Sequence, residues 1–220
     1  TKKITALILA LIMLLSLCAC GSQSAATESP ATEAPAESEI PAAEPEEITI
    51  TDMIGREVTV TPGSYKRVVC IGAGALRMYS YIGDVSLLCG VEDIDNTTLD
   101  ERPKMFDSVA RPYVLAFGDT FSTLPSCGVG GPNAQAAEAE KILSCNPDIV
   151  ISEYEDVDKE NALQEQLGVP VITLKAGPNG VFDDAFKNTM TMLGMIFCNE
   201  EKAEKLVSFI DSEAAEIASR

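Results

Sequence analysis

The sequence predicts an α/β fold built on a parallel sheet whose two faces are both covered by helices. Short, continuous apolar runs such as Arg67–Ile71 and Asp148–Ser152 have the length and β-branched content of buried strands. Amphipathic segments with helical spacing, Ala75–Ile82 and Lys159–Leu167, follow them. Strands that alternate with helices build units in which neighbouring strands run parallel.

The N-terminal segment predicts export and lipid anchoring. Lys2 and Lys3 precede an apolar run of 14 residues, Ile4–Leu17. This run is shorter than the ~20 residues that cross a bilayer, and it suits a secretion signal. It ends in Leu-Cys-Ala-Cys-Gly, which is similar to the bacterial lipobox, so Cys20 would be lipidated and become the new N-terminus. We therefore expect residues 1–20 to be a signal peptide and the protein to lie on the outer face of the cell membrane.

Residues 21–47 predict a disordered, extended tether. The segment holds seven Glu and no Lys or Arg, and it is rich in Ala, Ser, Thr and Pro. Because it has almost no large apolar side chain, it cannot bury enough surface to offset the entropy lost on ordering. Such a tether would hold the folded part away from the membrane.

Order is predicted from Ile48 onward. Glu47–Thr51 and Glu57–Thr61 alternate apolar and polar residues around a Gly-containing turn, which predicts a β-hairpin. After the first strand and helix of the sheet, Ser86–Val91 predicts a second strand. The segment from Glu92 to about residue 136 is rich in Pro and Gly, and we expect a long irregular section there. Loops of that length inside a domain usually serve a function.

The remaining segments continue the alternation and then change character. A helix is predicted over Ala136–Ser144 and a strand over Val169–Leu174. Two helices follow, one beginning near Asp183-Asp184 and one after Asn199. Their apolar faces are marked by Phe182, Phe186, Met190, Leu193 and Phe197 in the first helix, and by Ala203, Leu206, Val207, Ile210, Ala214 and Ile217 in the second. We expect the second of these faces to need a partner outside this sequence.

Composition excludes several classes of function. The chain contains no His, which rules out Ser-His-Asp and Cys-His catalytic sets and His-based metal sites. Its net charge of −18 argues against nucleic acid as a partner. The five cysteines after Cys20 show no C-x-x-C spacing, so we expect neither a zinc site nor a disulfide framework, although one pair could oxidise outside the cell. Gly72-Ala73-Gly74 lacks the third Gly of a dinucleotide motif, which would fall at Arg77, and we expect no cofactor.

Candidate ligand contacts lie where strands end. Gly74 and Ala75 join a strand to a helix, and small residues there would let a ligand approach the backbone and the helix N-terminus. Helix capping alone is the alternative. Tyr154 follows the strand Asp148–Ser152 and is similarly placed.

Arg111 and Tyr113 are the best candidates in the irregular section. Arg111 could pair bidentately with a carboxylate or an oxyanion, and Tyr113 offers a ring face and a hydroxyl. Pro112 between them would fix the loop. A solvated loop without a ligand is the alternative.

The order of these motifs resembles a known family. From Ile48 to about Arg220 the chain carries TDMIGREVTV, KRVVCIGAGALRMYSYIG, LPSCGVGGPN, AEKILSCNPDIVIS and LGVPVITL, after a lipobox and a Glu/Ala/Pro tether. This arrangement resembles the substrate-binding lipoproteins of ABC importers, specifically the family that binds iron–siderophores, haem, cobalamin and related metal complexes.

The resemblance implies two α/β lobes, Rossmann-like in their parallel sheets, joined by one long helix, with the ligand held between them. Residues 48–181 would form the N-terminal lobe, 182–198 the connecting helix and 199–220 the first helix of a second lobe that this sequence leaves incomplete. One lobe supplies only half of a cleft, so we expect affinity to fall when the other half is absent. By the same resemblance Glu140 would dock onto an arginine of the permease; an exposed helical Glu is the alternative.

The expected function is that of a monomeric, non-enzymatic binding protein. It would deliver a metal chelate to an ABC permease and its ATPase. A small oxyanion such as molybdate or tungstate is an alternative ligand, because Arg111 and backbone amides at a helix start would suit it. An exported α/β enzyme and a scaffold lipoprotein are alternatives of other classes. The enzyme is disfavoured because the sequence has no G-x-S-x-G or P-loop motif.

Overall fold

The computed structural model describes residues 46–104, 111–131, 134 and 136–220, which belong to one unit that runs from residue 43 to 220. The predicted signal peptide, the lipidation site Cys20 and the tether up to residue 45 lie outside the described residues.

The hairpin predicted at the start of the ordered region is present. β1 (Ile48–Thr51) pairs antiparallel with β2 (Glu57–Val60). A buried ion pair closes the turn between them, in which Nε of Arg56 donates to Oδ2 of Asp52 at 2.9 Å. The same carboxylate accepts the backbone N–H of Thr173 at 3.3 Å, so the hairpin is fastened to the main sheet.

The main sheet is parallel, as the sequence predicts, and has five strands. They are β3 (Val68–Ile71), β4 (Leu88–Glu92), β5 (Ser126–Gly128), β6 (Ile149–Ser152) and β7 (Val171–Thr173). In space they lie in the order β5-β4-β3-β6-β7. Every residue of β3, β4, β6 and β7 is buried, as expected of a parallel sheet that is covered on both faces.

Six α-helices accompany the strands in the described part of the chain. They are α1 (Ala75–Ile82), α2 (Pro112–Phe121), α3 (Ala139–Ser144), α4 (Val157–Leu167), α5 (Asp184–Ile196) and α6 (Glu200–Ala218). Helices α1 and α5 pack on the face of the sheet that carries Val68 and Cys70. Helices α3 and α4 pack on the other face, which carries Val69 and Ile71. The alternation along β3 follows from the two-residue period of a strand.

The prediction of an irregular section from Glu92 to about residue 136 is wrong in part, because α2 and β5 lie within it. Pro112 occupies the first turn of α2, where its missing N–H has no intrahelical partner to lose. The proline that suggested a fixed loop therefore begins a helix. Strand β5 is only three residues long, and its Ser-Cys-Gly sequence lacks the β-branched residues that signal a strand. The helix predicted from Ala136 begins at Ala139.

Helix α5 begins beside the predicted Asp-Asp pair. The carboxylate of Asp183 caps its first turn by accepting the backbone N–H of Ala185 at 2.9 Å. Phe186 and Met190 are buried, as their spacing predicts. The placement of Phe182 on the same helical face is wrong, because this residue lies in a short 3-10 turn before α5 and is 46% exposed.

Helix α6 packs against α5 along only part of its length. Ala203 and Ile210 are buried in this contact, whereas Phe209 and Ile217 are exposed. The predicted apolar face is thus covered towards its N-terminal end and open at Ile217. Neither α6 nor any other helix in the described part is long and apolar enough to cross a membrane.

Candidate functional site

The candidate site lies at the carboxyl edge of the parallel sheet, where the ends of neighbouring strands meet. Its described parts are the turn after β3, the segment after β4, the glycines after β5 and the residues after β6. Ligands of open α/β sheets bind outside this edge, because the loops there combine free backbone groups with helix N-termini.

The turn from β3 into α1 has the backbone geometry that its small residues predict. Gly74 has φ 112°, a value that favours glycine, and it precedes α1 without a side-chain cap among the described residues. Ala75 is fully buried, and its N–H donates to the carbonyl of Gly72 at 3.4 Å. Of the two sequence-predicted contacts, Gly74 is therefore partly exposed, whereas Ala75 is buried, backbone included.

The carboxylate of Glu153 lies against this turn. A Cβ at Gly74 would stand 2.6 Å from Oε2 of Glu153, so the space beside the start of α1 is already filled. This oxygen is buried and has no hydrogen-bond partner among the described residues. Burial raises the pKa of Glu153 to about 7, against an opposing effect of Arg77 and with a further rise caused by Glu155.

A second carboxylate, that of Glu92, approaches the same turn from the other neighbouring strand. Glu92 ends β4 and is only 5% exposed. Its Oε1 accepts the backbone N–H of Gly72 at 3.2 Å, and a Cβ at Gly130 would stand 2.6 Å from its Oε2. Burial raises the pKa of Glu92 to about 7; the Gly72 N–H opposes this, and Glu138 and Asp93 add to it.

Arg111 and Tyr113 lie together in a network with Asp95. Arg111 forms an ion pair with Asp95, and both side chains are largely buried. Arg111 also donates to the carbonyl of Ile94 at 2.9 Å and to the Tyr113 hydroxyl at 3.2 Å. The Tyr113 hydroxyl in turn donates to Asp95 Oδ1 at 2.8 Å, and burial raises its pKa. In this arrangement Arg111 holds the start of α2 to the segment after β4.

Tyr154 lies two residues after β6 and lines a groove. The groove has a volume of about 340 Å³ and lies between the residues that lead into α3 and helix α4. Its walls include Ala137, Ala139, Leu163 and Gln166. The Tyr154 ring packs on the core shared by α3 and α4, and burial raises the pKa of its hydroxyl.

Glu140 is exposed on α3, at the same end of the sheet as the groove. Its neighbour Glu138 is engaged within the domain, because it accepts the backbone N–H of Val129 at 2.6 Å and pairs with Lys141 at 2.9 Å. These interactions lower the pKa of Glu138, the bond with Lys141 most of all. Glu138 is thus bound within the domain, and Glu140 is the more exposed of the two.

The described residues contain no group of three or more His, Cys, Asp or Glu side chains that could hold a metal ion. Within this part of the chain Cys70, Cys89, Cys127 and Cys145 are buried free thiols, and Cys198 is an exposed one. Burial raises the pKa of Cys70 and Cys127 well above the usual value, so these two thiols are un-ionised at neutral pH.

Sequence reasoning placed Tyr154 and Gly74 at the carboxyl edge but missed Glu92 as a site residue. The available signal was an acidic residue directly after an apolar strand, since charged side chains in such positions are buried only when a neighbour compensates them. Glu153, which follows the same strand as Tyr154, was not among the predicted contacts either. Its contact with Gly74 depends on the register of β3 and β6, in which Ile71 lies opposite Ser152.

Solved structures share this fold at low sequence identity. The periplasmic catecholate-siderophore binding protein VctP from Vibrio cholerae is 22% identical, with a TM-score of 0.56 over 78% of this chain and 53% of that one. The petrobactin-binding protein YclQ from Bacillus subtilis is 20% identical, with a TM-score of 0.57 over 78% and 52%. The molybdate periplasmic binding protein MolA from Haemophilus influenzae is 18% identical, with a TM-score of 0.52 over 73% and 49%.

At these identities the similarity establishes the fold alone, and the chain spans about half the length of each of these structures. No curated protein sequence is significantly similar to the chain. The model of one family, described as periplasmic binding protein, matches residues 68–220, which include every strand of the main sheet and all six helices of the described part. The chain therefore belongs to the periplasmic binding protein family.

Proposed function

We propose that this chain is an extracytoplasmic solute-binding protein that carries a metal chelate to an ABC import permease. Membership of the periplasmic binding protein family implies a location outside the cytoplasm and a role in solute binding. One of the similar structures is named as a catecholate-siderophore binding protein and another as a petrobactin-binding protein, which supports a chelate as the ligand class. The observation that carries the proposal is a family match over the same segment that forms the parallel sheet and its carboxyl edge.

In this proposal the ligand lies on the carboxyl edge of the sheet. Backbone atoms at Gly74 and the exposed side of the Tyr154 ring would contact it, and the buried Ala75 would support the turn from within the core. Arg111 and Tyr113 would act mainly by holding the segment after β4, because their polar atoms already bind Asp95 and Ile94. The ring of Tyr154 supplies an apolar surface beside the groove, which suits the organic part of a chelate.

The remaining parts of the proposal concern delivery. Lipidation of Cys20 and the acidic tether would keep the domain at the outer face of the membrane. Glu140, exposed on α3, would dock onto a basic residue of the permease, and the ATPase would power transport. We propose that the protein acts as a monomer and performs no catalysis on its ligand.

The proposal is tested by equilibrium dialysis of the chain against a ferric tris-catecholate, haem and cobalamin. We expect at least one of these chelates to be retained, and Tyr154→Ala to weaken its binding about tenfold through loss of the ring contact. Lys66→Ala, an exposed change before β3 at the opposite edge, serves as the control and should leave binding unchanged. Absence of binding by a chain that circular dichroism shows to be folded would contradict the proposal.

A further inference from the structure

Two carboxylates contact the turn between β3 and α1, and Arg77 of α1 acts on one of them. Glu153 reaches the turn from β6, and Glu92 reaches it from β4. The positive group expected to bind an anionic ligand, Arg111, forms an ion pair with Asp95 instead. The described side chains that contact this turn therefore offer a ligand hydrogen-bond acceptors and negative charge.

Glu153 occupies the place that an anion would take at the start of α1. Its Oε2 would lie 2.6 Å from a Cβ at Gly74, the residue that precedes the helix. This buried oxygen has no hydrogen-bond partner among the described residues, so one acceptor of the carboxylate is left unsatisfied. A buried acceptor without a donor is costly; because Glu153 as a whole is only partly buried, a turn of its side chain towards a ligand N–H, O–H or positive charge would remove that cost.

We infer that Glu153 is a specificity-determining residue that excludes small oxyanions from this edge and favours a chelate that presents hydrogen-bond donors. The inference rests on the proposed function, because it assumes that the ligand binds at the carboxyl edge. It narrows the ligand class, since a free tetrahedral oxyanion would meet the Glu153 carboxylate at the helix N-terminus. Repulsion between like charges in a partly buried site disfavours such a ligand.

Isothermal titration calorimetry with sodium molybdate tests the inference on the wild-type chain, Glu153→Gln and Glu153→Ala. Glu153→Gln removes the charge and keeps the shape, and Glu153→Ala removes both. We expect both variants to bind molybdate at least tenfold more tightly than wild type. Glu165→Gln, an exposed change on α4 that alters the net charge equally, is the matched control and should bind as wild type does.

A pH series adds a readout that a purely structural role would not move. The charged groups that act on Glu153 are Arg77 on α1 and Glu155 beside it, and Glu92 lies across the same turn. Because a protonated Glu153 no longer repels an anion, molybdate binding by wild type should strengthen between pH 8 and pH 6. The strengthening should be smaller in Glu153→Gln, which has no carboxyl group at this position.

Equal molybdate affinities in wild type and both Glu153 variants would overturn the inference, and so would tight molybdate binding by the wild type. Chelate binding is measured on the same proteins by dialysis. A wild type that binds no chelate contradicts the proposed function, whereas a wild type that binds a chelate together with unchanged molybdate affinities contradicts only the role of Glu153.

Discussion

One buried and one half-buried glutamate contribute most of the negative charge around the turn after β3. Glu92 and Glu153 stand on either side of the turn after β3, and burial raises the pKa of each to about 7. Glu92 is stabilised by one backbone N–H, that of Gly72, and Glu153 has a buried oxygen without a described donor. Residues that cost folding free energy in this way are commonly found where a protein binds its ligand.

The raised pKa of Glu92 predicts how stability changes with pH. Its folded value of about 7 exceeds the ordinary value of 4.5, so between these values the folded protein keeps a proton that the unfolded chain has released. The contribution to the free energy of unfolding is therefore present below pH 4.5 and is lost as the pH rises through 7. From pH 5 to pH 8 we expect this one group to lower the free energy of unfolding by roughly 2 to 3 kcal/mol.

Urea denaturation at the two pH values, on wild type and Glu92→Gln, checks this prediction. Glutamine retains a carbonyl oxygen for the N–H of Gly72 but cannot ionise. Between pH 5 and pH 8, Glu92→Gln should lose roughly 2 to 3 kcal/mol less unfolding free energy than wild type does. Glu165→Gln should lose as much as wild type. An identical pH dependence in all three proteins would show that Glu92 keeps an ordinary pKa.

At the scale of elements, the regular units were predictable from sequence and the short ones were not. The helix Ala75–Ile82 is found with the predicted bounds, because its apolar spacing is helical and glycines flank it on both sides. Helix α2 was missed because a proline and an internal glycine, Gly118, normally indicate a loop. Site residues at strand ends could be proposed from the sequence. The contact between Glu153 and Gly74 could not, because it depends on the register of the strands. The partner of Arg111 could not be predicted either, because it depends on the position of α2.

Substitution by alanine should have opposite effects on stability at two glycines, Gly83 at the end of α1 and Gly118 within α2. At Gly83, which ends α1, a Cβ would stand only 2.3 to 2.8 Å from ring atoms of Tyr79. This ring is fully buried, and its hydroxyl donates to the carbonyl of Asp84 at 2.8 Å, so it has little freedom to move. Gly83→Ala should therefore lower the free energy of unfolding by about 1 to 3 kcal/mol.

Gly118→Ala serves as the matched change within α2. A Cβ there would meet nothing within 4 Å, and alanine favours the helix more than glycine does. We expect it to raise the free energy of unfolding by about 0.5 to 1 kcal/mol. Urea denaturation of both variants checks the pair, and destabilisation by Gly118→Ala or tolerance of Gly83→Ala would contradict the packing described for α1 and α2.

At the scale of the molecule, the described part is one α/β unit that ends in the helices α5 and α6. The family match extends through both helices, and α6 keeps Phe209 and Ile217 exposed. The chain spans about half of each similar structure, so a direct test of ligand binding must detect weak complexes as well as tight ones. Nuclear magnetic resonance meets that requirement.

The most direct test is an amide chemical-shift titration of the chain with a gallium(III) tris-catecholate, the diamagnetic counterpart of the ferric chelate. We expect the perturbed amides to cluster at residues 72–75, 92–95, 128–130 and 153–154, which line the carboxyl edge. Shifts confined to the opposite edge, around residues 66–68 and 146–149, would contradict a ligand site at the strand ends. A folded chain in which excess chelate shifts no amide would contradict it as well.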